Sequence, residues 1–139
     1  MDNKLDFTAL EKAIARLDES LKVVDEFSTT ESSPLLRTLI SGVVQHFEFT
    51  YELSWKFIKR WLGENLGKSQ VDGLSRQALF RLAAEYQLIE SVENWMLFHR
   101  ARNETSHTYN ENTAEEVFQI AIKFLPEATK LLGALKSKG

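Results

Sequence analysis

Apolar residues recur every three or four positions along most of this chain, the spacing of helices that bury one face. Phe7, Leu10, Ile14, Leu17, Leu21, Val24 and Phe27 form the first such series. The polar stretch Ser28 to Ser33 ends it, and Ser33-Pro34 reads as a cap followed by proline at the first helical position. A second helix is predicted from Pro34 to about Leu66, its end bracketed by Gly63 and Gly67, with a loop over Gly67 to Gly73. Ser75 caps a short helix to about Tyr86 that carries Leu79, Leu82 and Ala83. Ser91, with Asn94 three residues on, opens a fourth bearing Trp95, Leu97, Phe98 and Ala101. Asn110-Glu111-Asn112 reads as a turn, and Thr113 with Glu116 as a capping box for a last helix. That helix holds Val117, Ile120, Ala121, Phe124, Leu131, Leu132 and Leu135, and Pro126 is expected to kink or divide it.

One stretch obeys the wrong period. Phe47 to Phe57 alternates apolar and polar residues as a half-buried strand does, and it is rich in aromatics. Helical spacing continues on both sides with no breaker, so helix is the reading. On a wheel the apolar side chains from Phe47 to Leu62 then cover most of the circumference, and Glu48, Glu52, Lys56 and Lys59 gather in a narrow charged stripe. A helix that apolar needs cover on several sides, either from its own bundle or from a dimer or partner. The stripe itself reads as a solvated face with a helix-spaced ion pair, or as carboxylates that orient an arginine.

Composition narrows the class. The 139 residues suit one domain spanning the whole chain, and 43% hydrophobic with 27% charged residues is a globular balance. With no cysteine, disulfides, zinc-thiolate sites and thiol nucleophiles are excluded, which fits a reducing cytoplasm. Met1-Asp2-Asn3-Lys4 lacks a signal-peptide pattern, and no apolar run nears the roughly 18 residues of a membrane span, so a cytoplasmic location is expected. A net charge of −3 provides no global field for nucleic acid, so any RNA contact must rest on a local patch such as Arg76, Arg81, Arg100 and Arg102. No set of histidines and carboxylates has metal-ligand spacing, and neither a metal nor another cofactor is expected.

Candidate chemistry concentrates in His99 to Tyr109. Arg100, Arg102, Asn103, Ser106, His107 and Tyr109 crowd polar and titratable groups where an amphipathic helix runs into a turn, and Arg102, His107 and Tyr109 form Arg-x4-His-x-Tyr. On one unbroken helix Arg102 and His107 lie about 140° apart. They converge only if the helix ends near Ser106 or if two chains share a site. Thr105, Ser106 and Thr108 favour an end there. The competing structural reading has His107 capping a helix, Arg102 paired with Glu104 or Glu48, and Tyr109 packing at the turn. His46 and His99 read as helix-face residues, and Trp55, Trp61 and Trp95 as core or interface.

These segments carry a resemblance. Phe47-Glu48-Phe49-Thr50-Tyr51-Glu52-Leu53-Ser54-Trp55-Lys56, Leu88-Ile89 before Trp95, and Arg102-Asn103-Glu104-Thr105-Ser106-His107-Thr108-Tyr109 resemble the HEPN superfamily, whose signature is an arginine followed at short spacing by a histidine. Within it the chain is most similar to the nucleotidyltransferase substrate-binding proteins, over nearly its whole length. The resemblance implies an all-α, antiparallel up-and-down bundle of four or five helices, usually dimeric, with a minimal nucleotidyltransferase as partner. It also implies two competing functions. In the first, the chain is the substrate-binding or substrate subunit of that nucleotidyltransferase, in a toxin–antitoxin pair. Arg102, Asn103, Ser106 and His107 then hold nucleotide or phosphate, and Tyr109 takes the adenylyl group, as in the related HepT toxins. In the second, the chain is a metal-independent ribonuclease acting in a composite dimer cleft. His107 then serves as general acid or base on a ribose hydroxyl, and Arg102 steadies charge on the phosphate.

Overall fold

The computed structural model describes residues 5–27, 33–107 and 110–138. Among them all regular structure is helical. Helix α1 is Thr8–Phe27, α2 is Pro34–Leu66, α3 is the single turn Lys68–Val71, α4 is Arg76–Glu85, α5 is Val92–Asn103 and α6 is Glu111–Lys138. The stretch with strand-like alternation is the middle of α2.

The predicted caps act where the serines stand. Ser33 Oγ accepts from the Leu36 N–H, Ser75 Oγ from Ala78 and Ser91 Oγ from Asn94, each at 3.1 Å. Each satisfies one of the amides that a helix start leaves without an intrahelical partner. Gly67 closes α2 at φ 103°, a conformation that favours glycine, and its N–H donates to the Gly63 carbonyl.

Two expectations need correction and a third is narrowed. The stretch Gly67 to Gly73 is not all loop, because α3 adds one helical turn there. Asn110 to Asn112 is not a turn before a Thr113 cap. The Asn110 carboxamide oxygen accepts from the Asn112 and Thr113 amides at 2.9 and 3.4 Å, so Asn110 is the cap and Thr113 lies inside the helix. Pro126 does not divide α6. A proline there forfeits one backbone bond, and the buried Phe124, Ala128 and Leu131 anchor the helix to the core on both sides of it.

Paired contacts fix the directions. Phe7 meets Phe57 at 5.5 Å between ring centroids, and Thr50 Oγ1 donates to the Ala13 carbonyl at 3.3 Å, so α1 and α2 run antiparallel. Arg37 pairs with Glu111, and Phe47 packs on Phe124, so α2 and α6 run parallel. Helix α5 runs against both, its start at Trp95 beside Phe124 and its end at Arg102 beside Glu48. The result is an up-and-down bundle of α1, α2, α5 and α6, with α3 and α4 in the connection from α2 to α5. Counting α4, five helices of ten or more residues are present among the described residues.

Phe124 sits at the centre. Its ring lies 5.0 Å from Phe98, 5.1 Å from Phe47, 5.7 Å from Trp95 and 6.4 Å from Tyr51, mostly edge to face. The core claims only part of α2: Val43, Val44, Phe47, Tyr51, Ile58 and Leu62 point inward, while Phe49 stays 59% exposed and Leu35 55%. Thr50 and Ser54 are buried, with their hydroxyls bonded to the carbonyls of His46 and Thr50 one turn back. Among the described residues no helix is long and apolar enough to cross a membrane.

Candidate functional site

Helix α5 ends at Asn103, and the chain tightens into a 3-10 turn over Glu104–His107. The α-helical path therefore breaks a residue beyond Arg102, as the poor helix formers in this stretch lead one to expect. Arg102 lies on the side of α5 that faces α2. Its Nε donates to Glu52 Oε2 at 3.0 Å, and its Nη1 lies 3.3 Å from Glu48 Oε2. The two carboxylates are one helical turn apart, and the guanidinium spans them. Thr105 Oγ1 donates to the Arg102 carbonyl at 2.8 Å and lies 3.3 Å from Glu48 Oε2, which ties the 3-10 turn to the same cluster. Glu52 is oriented in turn by Trp55, whose indole N–H donates to Oε1 at 3.2 Å.

The stripe on α2 is therefore not simply solvated. Glu48 and Glu52 are 39% and 32% exposed and both turn to Arg102, whose own side chain is 30% exposed. The predicted alternatives resolve in favour of carboxylates on α2, and Glu104 is not among the partners of Arg102.

Of the other predicted site residues, Asn103 ends α5 and Ser106 and His107 lie in the 3-10 turn. Asn103, Ser106 and His107 are exposed, and no hydrogen bond or ion pair joins Arg102 to His107 among the described residues. Tyr109 lies outside the described residues. Two arginines of the expected basic patch lie on different sides of the bundle. Arg100 lines a groove between α5 and α6 with Glu104, Thr113 and Ile120, whereas Arg76 lies against Trp55 on the α2 side.

His99 is more than the helix-face residue that its spacing suggests. The buried Tyr51 hydroxyl is 2.9 Å from His99 Nδ1. Burial pushes the Tyr51 phenol well above its usual range, so it keeps its proton. The His99 tautomer sets which of the two groups donates. Burial, and after it the charge of Arg76, holds the His99 pKa below its ordinary value. Nothing in the sequence links position 51 to position 99. Among the described residues no group of three or more His, Cys, Asp or Glu could hold a metal ion.

The family model described as nucleotidyltransferase substrate binding protein like matches residues 5–137. The chain belongs to this family. A Haemophilus influenzae protein named probable ribonuclease HepT is 30% identical over 141 aligned residues, covering 99% of this chain and 97% of the relative. A solved Haemophilus influenzae structure, described as the fold of a substrate binding domain of a nucleotidyltransferase, superposes with a TM-score of 0.88 at 30% identity, covering 94% of this chain and 99% of that one. A Thermus thermophilus structure gives 0.62 at 29% identity over 86% of this chain and 98% of that one. The chain shares its helical bundle with the solved substrate binding domain.

Proposed function

We propose that the chain is the helical substrate-binding partner of a minimal nucleotidyltransferase, in a toxin–antitoxin pair, and that it contacts nucleotide or phosphate at the end of α5. The observation that carries this reading is the family match from residue 5 to residue 137. The geometry supports Arg102 as the anchor. Glu48 and Glu52 engage Nη1 and Nε, which holds the planar fork in one orientation toward an anionic ligand. The same carboxylates lower the net charge that Arg102 offers, so a phosphate bound there needs further donors. Asn103, Ser106 and His107 follow within the next turn and supply them. In this reading Tyr109, two residues after His107, is the residue adenylylated by the partner.

The curated relative's name favours a second reading, a ribonuclease in which His107 transfers the proton and Arg102 steadies the phosphate. Two chains then complete the cleft, and the exposed side of α2 at Phe49 is the surface we assign to the dimer. One pair of experiments separates the readings. Size-exclusion chromatography of the chain mixed with the nucleotidyltransferase encoded beside it is expected to give a joint peak; separate peaks would sink the first reading. Incubation with RNA, alongside His107→Ala, tests the second: cleavage by the parent that the substitution abolishes establishes it, and absence of cleavage removes it.

A further inference from the structure

Arg76, the first residue of α4, has an arrangement that folding alone does not require. Its guanidinium carbon sits 3.4 Å from the centroid of the Trp55 ring, a face-on stack that fixes the plane of the fork. No carboxylate lies within ion-pair distance of it among the described residues, although six other lysines and arginines have such partners there. Its Nε is buried and has no acceptor. A half-buried, oriented cation with no carboxylate partner among the described residues is costly, and an anion that meets the terminal amino groups of its fork offsets part of that cost.

The position matters as much as the charge. Glu48, Glu52 and Trp55 stand at i, i+4 and i+7 along one side of α2. Arg102 is held by the first two and Arg76 lies on the third. Glu52 joins them, since one oxygen takes Arg102 and the other takes the Trp55 N–H. His99 lies on α5 between Arg102 and the start of that helix, with Nδ1 engaged by the Tyr51 hydroxyl. Two arginines and an imidazole thus follow one edge of the bundle.

We propose that Arg76 is a second anion contact, and that the edge of α2 binds a ligand carrying at least two phosphate groups, one at Arg76 and one at Arg102. This rests on the reading of Arg102 as a phosphate anchor. The phosphates come either from a nucleoside triphosphate or from a single-stranded RNA backbone, and the test separates the two sources.

Binding of ATP, AMP and an oligoadenylate is measured by titration calorimetry on the full chain, its Arg76→Ala, Arg76→Lys and Arg102→Ala variants, and Trp55→Phe, which keeps a ring under Arg76 but removes the bond to Glu52. Circular dichroism checks that each variant is folded. Arg76→Ala is expected to weaken ATP or oligoadenylate by about tenfold, as loss of one charge-assisted contact does, with less effect on AMP. Arg76→Lys, which lacks the fork, is expected to fall between. If RNA is the ligand, the slope of log K against log salt drops by about 0.7 in Arg76→Ala. If ATP is the ligand, only ATP shows the loss. Should Arg76→Ala bind as the parent does while Arg102→Ala is weakened, the second contact is wrong and the Arg102 reading stands. Should neither variant lose affinity, or no ligand bind the parent, both are overturned.

Discussion

The pairing of Arg102 with Glu52 can be tested by a double-mutant cycle, Arg102→Ala against Glu52→Gln. Contact distances of 3.0 Å to Glu52 and 3.3 Å to Glu48 set the magnitude, together with side chains about one-third exposed. A fully exposed pair contributes roughly 0.2–1 kcal/mol. A hydrogen bond to a charged group shielded from water contributes about 1.5–3 kcal/mol. Exposure of 30–39% places this network near the upper end of the exposed class, about 1 kcal/mol for the Glu52 contact. Arg102→Ala removes both contacts and leaves two like charges one turn apart, which costs a further ~0.2–0.5 kcal/mol. The expected loss is about 1–2 kcal/mol for Arg102→Ala and about 1 kcal/mol or less for Glu52→Gln. The double variant should lose less than the sum by about 0.5–1 kcal/mol. Urea unfolding followed by helical circular dichroism measures all four corners at low and at molar salt, and the coupling should shrink with salt. Strict additivity at low salt would refute the claim that these side chains act on each other.

Other expectations follow from the core, the buried pair and the exposed side of α2. Phe124→Ala removes the ring around which four aromatic side chains pack, and a loss of about 3–5 kcal/mol is expected by the same unfolding assay. The folded state holds the His99 pKa below its unfolded value near 6.5. That contribution is complete above the unfolded value and is lost as pH falls through the folded one, so the melting temperature should drop more steeply below about pH 6.5 in the parent than in His99→Gln. An unchanged pH profile in His99→Gln would contradict the assignment. Phe49→Glu places a charge on the exposed side of α2; light scattering should show a dimeric parent become monomeric, and a parent that is already monomeric would remove the dimer face.

The bundle was legible because its signals are local. Serines at 33, 75 and 91 stand directly before apolar series and cap the helices that follow. The helix–strand conflict at Phe47 to Phe57 was settled by continuity: within α2, Phe47 and Tyr51 point into the core, Leu53 packs at its margin and Phe49 stays exposed. Local rules failed where two neighbours compete for one role. Asn110 and Thr113 both suit a cap, and the carboxamide takes the position because it reaches two amides at once. The location of the candidate site was legible from the crowding of polar groups near Arg102. Its partners were not, because Glu48 and Glu52 are some 50 residues away in sequence. Only the folded bundle brings them to α5, as it brings Tyr51 to His99 and Trp55 to Arg76.

The central claim is that Arg102, held by Glu48 and Glu52, meets the phosphate of a nucleotide. The arginine Nε–H signals of the 15N-labelled chain, followed by NMR as ATP is added in the presence of the nucleotidyltransferase, test it most directly, with the Arg102 signal assigned by its absence in Arg102→Lys. A saturable shift of that signal, absent when Glu52→Gln removes the carboxylate that orients it or reduced in proportion to weaker binding, is the predicted result. An Arg102 signal that stays in place while ATP demonstrably binds the complex would contradict the account.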